Sequence, residues 1–99
     1  MPAFQLTNAA ADDLVGIYLQ GLELFGQTQA DRYYEGLTAT FAFLAEYPHA
    51  ARLRIEITPP VRAHPHRSHL VVYEIDPEGG VIILRIRHGR ADWMSRPVG

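Results

Sequence analysis

The chain contains no cysteine and no lysine. Without cysteine it has no disulfide scaffold, no thiolate nucleophile and no sulfur-ligated zinc or iron–sulfur centre. That composition suits a reducing compartment. Without lysine, all nine basic side chains are arginine, which excludes chemistry that needs a titratable ammonium. No apolar run approaches the roughly 20 residues of a membrane span. Residues 1–14 carry Asp12 and Asp13 but no basic side chain, unlike a secretory signal. There is no paired-carboxylate motif, no Gly-rich phosphate loop, no Gly-x-Ser-x-Gly elbow and no internal repeat. The expectation is a soluble cytoplasmic chain with no membrane role and no cofactor.

What is present suffices for one small core. The 99 residues are 47% hydrophobic and 20% charged, which fits a single domain over 1–99 and argues against disorder. The net charge of −2 conceals a split. Residues 1–50 hold six acidic side chains against Arg32 alone, whereas residues 51–99 hold eight arginines against five acids and four of the five histidines. Such asymmetry points to an anionic partner for the second half. Arginines snorkelling over strand surfaces would produce the same count.

Periodicity supplies the elements. Ala3–Leu6 reads as a short strand. Thr7 or Asn8 caps a helix whose first turn takes Asp12 and Asp13, with Ala10, Leu14, Ile17, Tyr18, Gly21 and Phe25 at helical spacing. Gly26 suits the left-handed position after it. Thr28–Asp31 resembles a capping box opening a second helix, whose stripe runs from Ala30 through Tyr33, Tyr34, Leu37 and Phe41 to Leu44. Pro48 stops that helix near Tyr47. The short link predicts an antiparallel helical hairpin.

Arg52–Pro60 reads as a linker with an edge strand at Leu53–Ile57. Val61–His66 reads as a strand held to an edge by Pro65. Arg67–Ser68 makes a tight turn into the strand His69–Ile75, and Asp76–Gly80 turns into the strand Val81–His88. Residues 94–99 read as a mobile tail. The order is β-α-α-β-β-β, an α+β fold with a helical hairpin on one face of an antiparallel sheet.

Two faces then carry functional expectations. Alternation sets Val71, Tyr73 and Ile75, with Ile82, Leu84 and Ile86, against the helices. The opposite parity gathers Arg62, His64, His66, Arg85 and Arg87 on the far side of the sheet as an anion-binding surface. Separately, Val15, Leu19 and Leu22 form a second apolar stripe on the first helix, and Phe43 and Tyr47 lie off the main stripe of the second. A two-layer domain has nothing to cover these residues. Scattered surface hydrophobes are common, but a contiguous stripe favours a protein partner or a second copy of the chain.

The spacing His64-x-His66-x-x-His69 invites comparison with a metal site. No cysteine, and no carboxylate spaced as a fourth ligand, accompanies it, so no metal is expected. The histidines and arginines also make up the parts of an RNA-cleaving site, with imidazoles for proton transfer and guanidiniums for phosphorane charge. No motif organises those parts.

In order along the chain, the residues resemble the ParE toxins of the ParE/RelE superfamily. Thr7-Asn8-Ala9-Ala10-Ala11-Asp12-Asp13-Leu14 with Ile17 and Tyr18 is similar to that family's first-helix opening. Gly26, Ala30, Tyr33, Leu37 and Phe41 follow at family spacing, and Leu44-Ala45-Glu46-Tyr47-Pro48 is similar to its second-helix end. Arg62 falls where the family carries an arginine, and His69-Leu70-Val71-Val72-Tyr73 resembles its middle strand. Ile83-Leu84-Arg85-Ile86-Arg87-His88-Gly89-Arg90-Ala91-Asp92-Trp93 resembles its ending.

The resemblance implies a RelE/ParE-like fold. It also implies neutralisation by a ParD-like antitoxin, whose N-terminal half binds operator DNA and whose C-terminal half wraps the toxin. On this reading Val15, Leu19, Leu22, Arg62 and Arg85 meet the antitoxin. Arg87, His88, Arg90, Asp92 and Trp93 are candidates for contacts to the target. For this family the target is usually DNA gyrase, inhibited without chemistry or direct nucleic-acid binding by the toxin. RelE-like relatives instead cleave mRNA on the ribosome with basic residues and a C-terminal tyrosine. This chain departs from that set: it has no lysine, and its last tyrosine is Tyr73. It departs from the ParE pattern at Pro59-Pro60, where a glycine is common.

Overall fold

A computed structural model describes residues 3–90 and 92–98. The elements are β1 (Phe4–Leu6), α1 (Asn8–Phe25), α2 (Gln27–Glu46), β2 (Arg62–His66), β3 (His69–Ile75) and β4 (Val81–His88), with a 3-10 turn at Pro48–Ala50. Ala91 and Gly99, within the family-like ending and the expected tail, lie outside the described residues.

Local chemistry sets the boundaries. The Thr7 hydroxyl accepts from the Ala10 amide at 3.0 Å and donates to the Leu84 carbonyl at 2.8 Å, so the α1 cap is also tied to the sheet. Asp12 and Asp13 fall beyond the first turn, because the helix begins as early as Asn8. Gly26 alone separates the helices; its φ of 86° needs glycine, and its amide bonds the Leu22 carbonyl. The expected Thr28–Asp31 capping box does not form, since α2 already begins at Gln27. Asp31 is instead engaged by the Tyr18 hydroxyl at 2.5 Å, a link between the two helices. Gly21 lets the hairpin close: a Cβ there would lie 3.3 Å from that of Ala30.

The sheet order is β1-β4-β3-β2. β2, β3 and β4 form an antiparallel meander, but β1 pairs parallel to β4, so the sheet is mixed rather than antiparallel throughout. The reason is the crossover: two helices and two strands intervene between β1 and β4, which is what a parallel pairing requires. The expected edge strand at Leu53–Ile57 reduces to one bridge, Arg54 to Val61.

Each sheet face has its own core. On the helix side, Leu14, Leu37, Phe41 and Leu44 bury against Val71, Tyr73, Val81, Ile83 and Ile86. On the far side, Ile57 and Trp93 cover Val61, Ala63 and Val72, with Leu70 and Leu84 packed alongside.

The expected sorting of side chains fails in two places. A bulge between Val72 and Tyr73 in the β3–β4 ladder pairs Val72 with Arg85 and Tyr73 with Ile83. Leu84 is the extra residue, so Val81 and Ile83 face the helices before it and Ile86 after it, while Leu84 joins the far core. The parity of β2 is also reversed. The ladder pairs Arg62 with Tyr73, His64 with Val71 and His66 with His69, placing all three on the helix side. Arg85 and Arg87 keep the far-side register, opposite Val72 and Leu70, but among the described residues an apolar core rather than an Arg/His cluster covers that face.

Candidate functional site

The outer stripe of α1 is where the sequence places it. Val15 is 58% and Leu19 57% exposed, four residues apart on one helical face. Leu22, one turn further, is half-buried. On α2, Phe43 and Tyr47 are exposed and pack ring to ring at 5.3 Å, with His64 at 5.6 Å from Phe43. Phe25, expected on the buried stripe, is 64% exposed, since the hairpin has already turned at Gly26.

The two arginines assigned to the partner surface are committed inward. Asp13 accepts from Arg85 Nε at 2.7 Å and Nη2 at 3.0 Å, and from the Ile86 amide at 3.0 Å. This fork joins α1 to β4, and the carboxylate strengthens the hold of Arg85 on its proton. Arg62 donates to the Ala51 carbonyl at 2.6 Å. Beside it, the buried Tyr73 hydroxyl donates to the Pro48 carbonyl at 2.7 Å and accepts from the Ala51 amide at 3.3 Å. Together they pin the exit of α2 to the sheet.

The target-contact candidates divide. Arg87 lies on β4 opposite Leu70. Arg90 is exposed, and its amide donates to His88 Nδ1 at 3.1 Å. Asp92 is exposed and accepts from Ser95 Oγ at 2.9 Å. Trp93 is buried in the far core, with the Arg54 guanidinium over its ring at 5.4 Å. The following segment is held at two points: Pro97 is buried, and the Arg96 amide bonds the Trp93 carbonyl at 3.2 Å.

The histidines go to separate partners. Thr40 Oγ1 donates to the Gly36 carbonyl at 3.0 Å and so accepts from His66 Nδ1 at 3.0 Å. His66 Nε2 is left buried with no partner among the described residues. The Tyr33 hydroxyl donates to the His66 carbonyl at 3.3 Å and so accepts from His69 Nδ1 at 2.6 Å, and its ring packs edge-on with both His66 and His69. His69 in turn meets His88, ring centroids 5.5 Å apart. Burial pushes His64, His66 and His69 below the ordinary imidazole value of 6.5, with Arg67 adding to the effect on His66 and His88 to that on His69. They are therefore neutral at pH 7. Among the described residues no three metal-ligating side chains converge.

One feature escaped the sequence reading. A groove of about 640 Å³ lies between the helical hairpin and the turn joining β2 to β3. Arg32, Arg67, His69 and His88 line it with Tyr33 and Tyr34. Its residues come from α1, α2, the turn and two strands, so no local spacing marks them. The positive φ of Arg67, 52°, belongs to the two-residue turn that the sequence did signal.

Among the described residues, no helix is long and apolar enough to cross a membrane. No curated protein sequence matches the chain significantly. Among solved structures it is similar to a chain of the chromosomal ParDE TA system from P. aeruginosa, at 22% identity and a TM-score of 0.75, covering 89% of this chain and 96% of that one. That likeness shows a shared fold. Residues 4–93 match the family described as the ParE toxin of type II toxin-antitoxin system, parDE, and the chain belongs to that family.

Proposed function

We propose that this chain is the growth-inhibiting member of a toxin–antitoxin pair in the cytoplasm, neutralised by a ParD-like antitoxin that also carries the pair's DNA binding. The observation that carries the reading is the bare stripe of Val15 and Leu19 on α1. An amphipathic antitoxin helix laid there buries its apolar face against these side chains. Arg62 and Arg85 act at one remove, holding the surface through Ala51 and Asp13. Arg87 and Arg90 are left to meet antitoxin carboxylates or the target. Released from the antitoxin, the chain inhibits DNA gyrase by binding it, with no bond made or broken by the toxin.

Two measurements test this. Leu19→Glu should weaken antitoxin binding by at least about 100-fold, the loss typical of a charge buried at an interface anchor, while circular dichroism stays unchanged. Unchanged affinity removes the stripe from the interface. Expression of the chain without antitoxin should inhibit DNA supercoiling while transcripts stay intact. Early ribosome-dependent mRNA cleavage would instead mark the chain as a RelE-like endoribonuclease.

A further inference from the structure

The groove between the hairpin and the β2–β3 turn belongs to neither the α1 outer stripe nor the Asp13–Arg85 anchor: Val15, Leu19, Asp13 and Arg85 do not line it. Its chemistry is one-sided. Its charge comes from the guanidiniums of Arg32 and Arg67, with the imidazoles of His69 and His88 beside them, and among the described residues no aspartate or glutamate lines it, in a chain whose net charge is −2. The ion pairs among the described residues are Arg52–Glu56 and Arg85–Asp13, so neither Arg32 nor Arg67 is neutralised by a carboxylate there. A concave surface lined by one sign of charge concentrates its field and draws a counter-ion. Planar guanidiniums grip phosphate oxygens through paired hydrogen bonds.

The rest of the lining is flat and apolar. Phe25 is 64% exposed, and Tyr34, which packs edge-to-face with Tyr18 at 5.9 Å, keeps 43% exposure, so each ring leaves part of its surface to a planar ligand. Gln20, Gln29 and Ser68 add hydrogen-bonding groups that suit the edge of a base. Base stacking on such rings is favourable whichever base is offered. The volume, about 640 Å³, falls in the range of small-ligand sites, roughly 300–1,000 Å³.

We propose that this groove binds a free nucleotide, with the base against Tyr34 and Phe25 and the phosphate on Arg67, Arg32 and His88. The site is independent of the toxin reading, because its occupancy is measured on the isolated chain without reference to growth or to gyrase.

The test is a titration of the full chain with AMP, adenosine, inorganic phosphate and a single-stranded oligoribonucleotide, read by equilibrium dialysis and amide NMR shifts. AMP should bind saturably and move the signals of Tyr34, Ser68 and His69. Adenosine and phosphate should each bind at least about tenfold more weakly, since each keeps only one of the two contacts. Arg67→Asn should weaken AMP about tenfold while leaving adenosine unchanged. Asparagine tolerates the left-handed backbone of this position, φ 52°. Tyr34→Ala should weaken AMP and adenosine alike. Should Arg67→Asn fail to fold, Arg32→Gln on the exposed side of α2 makes the same test. Absence of saturable AMP binding overturns the proposal. So does phosphate binding as tightly as AMP, or AMP-induced shifts confined to Val72 and Trp93 on the far face. An oligoribonucleotide that binds this groove more tightly with each added nucleotide overturns the free nucleotide in favour of a strand.

Discussion

The two faces of the sheet solve different problems with the same strands. The helix side is covered by a continuous hairpin, and its core combines aliphatic side chains with polar anchors such as Tyr73 and the histidines of β2. Among the described residues, the far side is covered by loop segments contributing Ile57 and Trp93. Burial by a helix comes with backbone hydrogen bonds already satisfied; burial by a loop needs separate ties, here Arg54 to Val61 and Arg96 to Trp93. The larger helix-side core should therefore carry more of the fold's stability, with the far side acting as a local cover.

The strongest attempt to break this comparison pairs two truncations. Phe41→Ala should cost about 3–5 kcal/mol, the usual loss for a buried ring, and lower the urea midpoint of the whole transition. Trp93→Ala should cost less, about 3 kcal/mol at the low end of that range, because the loops around it can close over the space. Its faster hydrogen exchange should stay within residues 53–63 and 92–98. Equal losses would make the two faces equivalent. Next in size is Asp13→Ala, which removes three accepted hydrogen bonds between α1 and β4 and should cost about 2 kcal/mol in the same assay. Tyr73→Phe deletes the hydroxyl tie to Pro48 and Ala51 and should cost about 1 kcal/mol. A loss near zero would mean that Arg62 alone secures that junction.

The smallest effect concerns pH and belongs to the helix side alone. His64, His66 and His69 titrate below 6.5 in the folded chain, so the unfolded chain binds protons first as the pH falls. Their contribution is present above pH 6.5 and is lost as the pH drops below it. The urea midpoint should therefore decrease between neutral pH and about pH 5. Trp93→Ala should keep the same slope. A slope changed by that variant would place the histidines under the control of the far face.

Much of the fold was legible because its punctuation is chemical. Gly26, Pro48 and Asp76–Gly80 each end or turn an element for a reason visible in the residue type, and the exposed stripe of α1 follows from helical spacing alone. The sheet faces were misread for two separate reasons. Leu84 enters a bulge, which no alternation pattern announces. The β2 parity, by contrast, was available: the two-residue turn at Arg67–Ser68 makes His66 face His69, which carries His64 and Arg62 to the side of Val71 and Tyr73. Polar side chains were read as solvent-facing, when burial against Phe43, Thr40 and Tyr33 accommodates them. The groove was not legible, because its charges converge only after the hairpin folds over the turn.

The fork between Asp13 and Arg85 has a kinetic consequence. It fixes α1 to the sheet two residues before Val15, so the helix that presents the apolar stripe has little freedom left to lose. A protein docking there meets a surface ordered beforehand, and most of the contact energy remains for holding the complex together. Loosening the fork should therefore shorten the lifetime of that complex more than it slows the encounter.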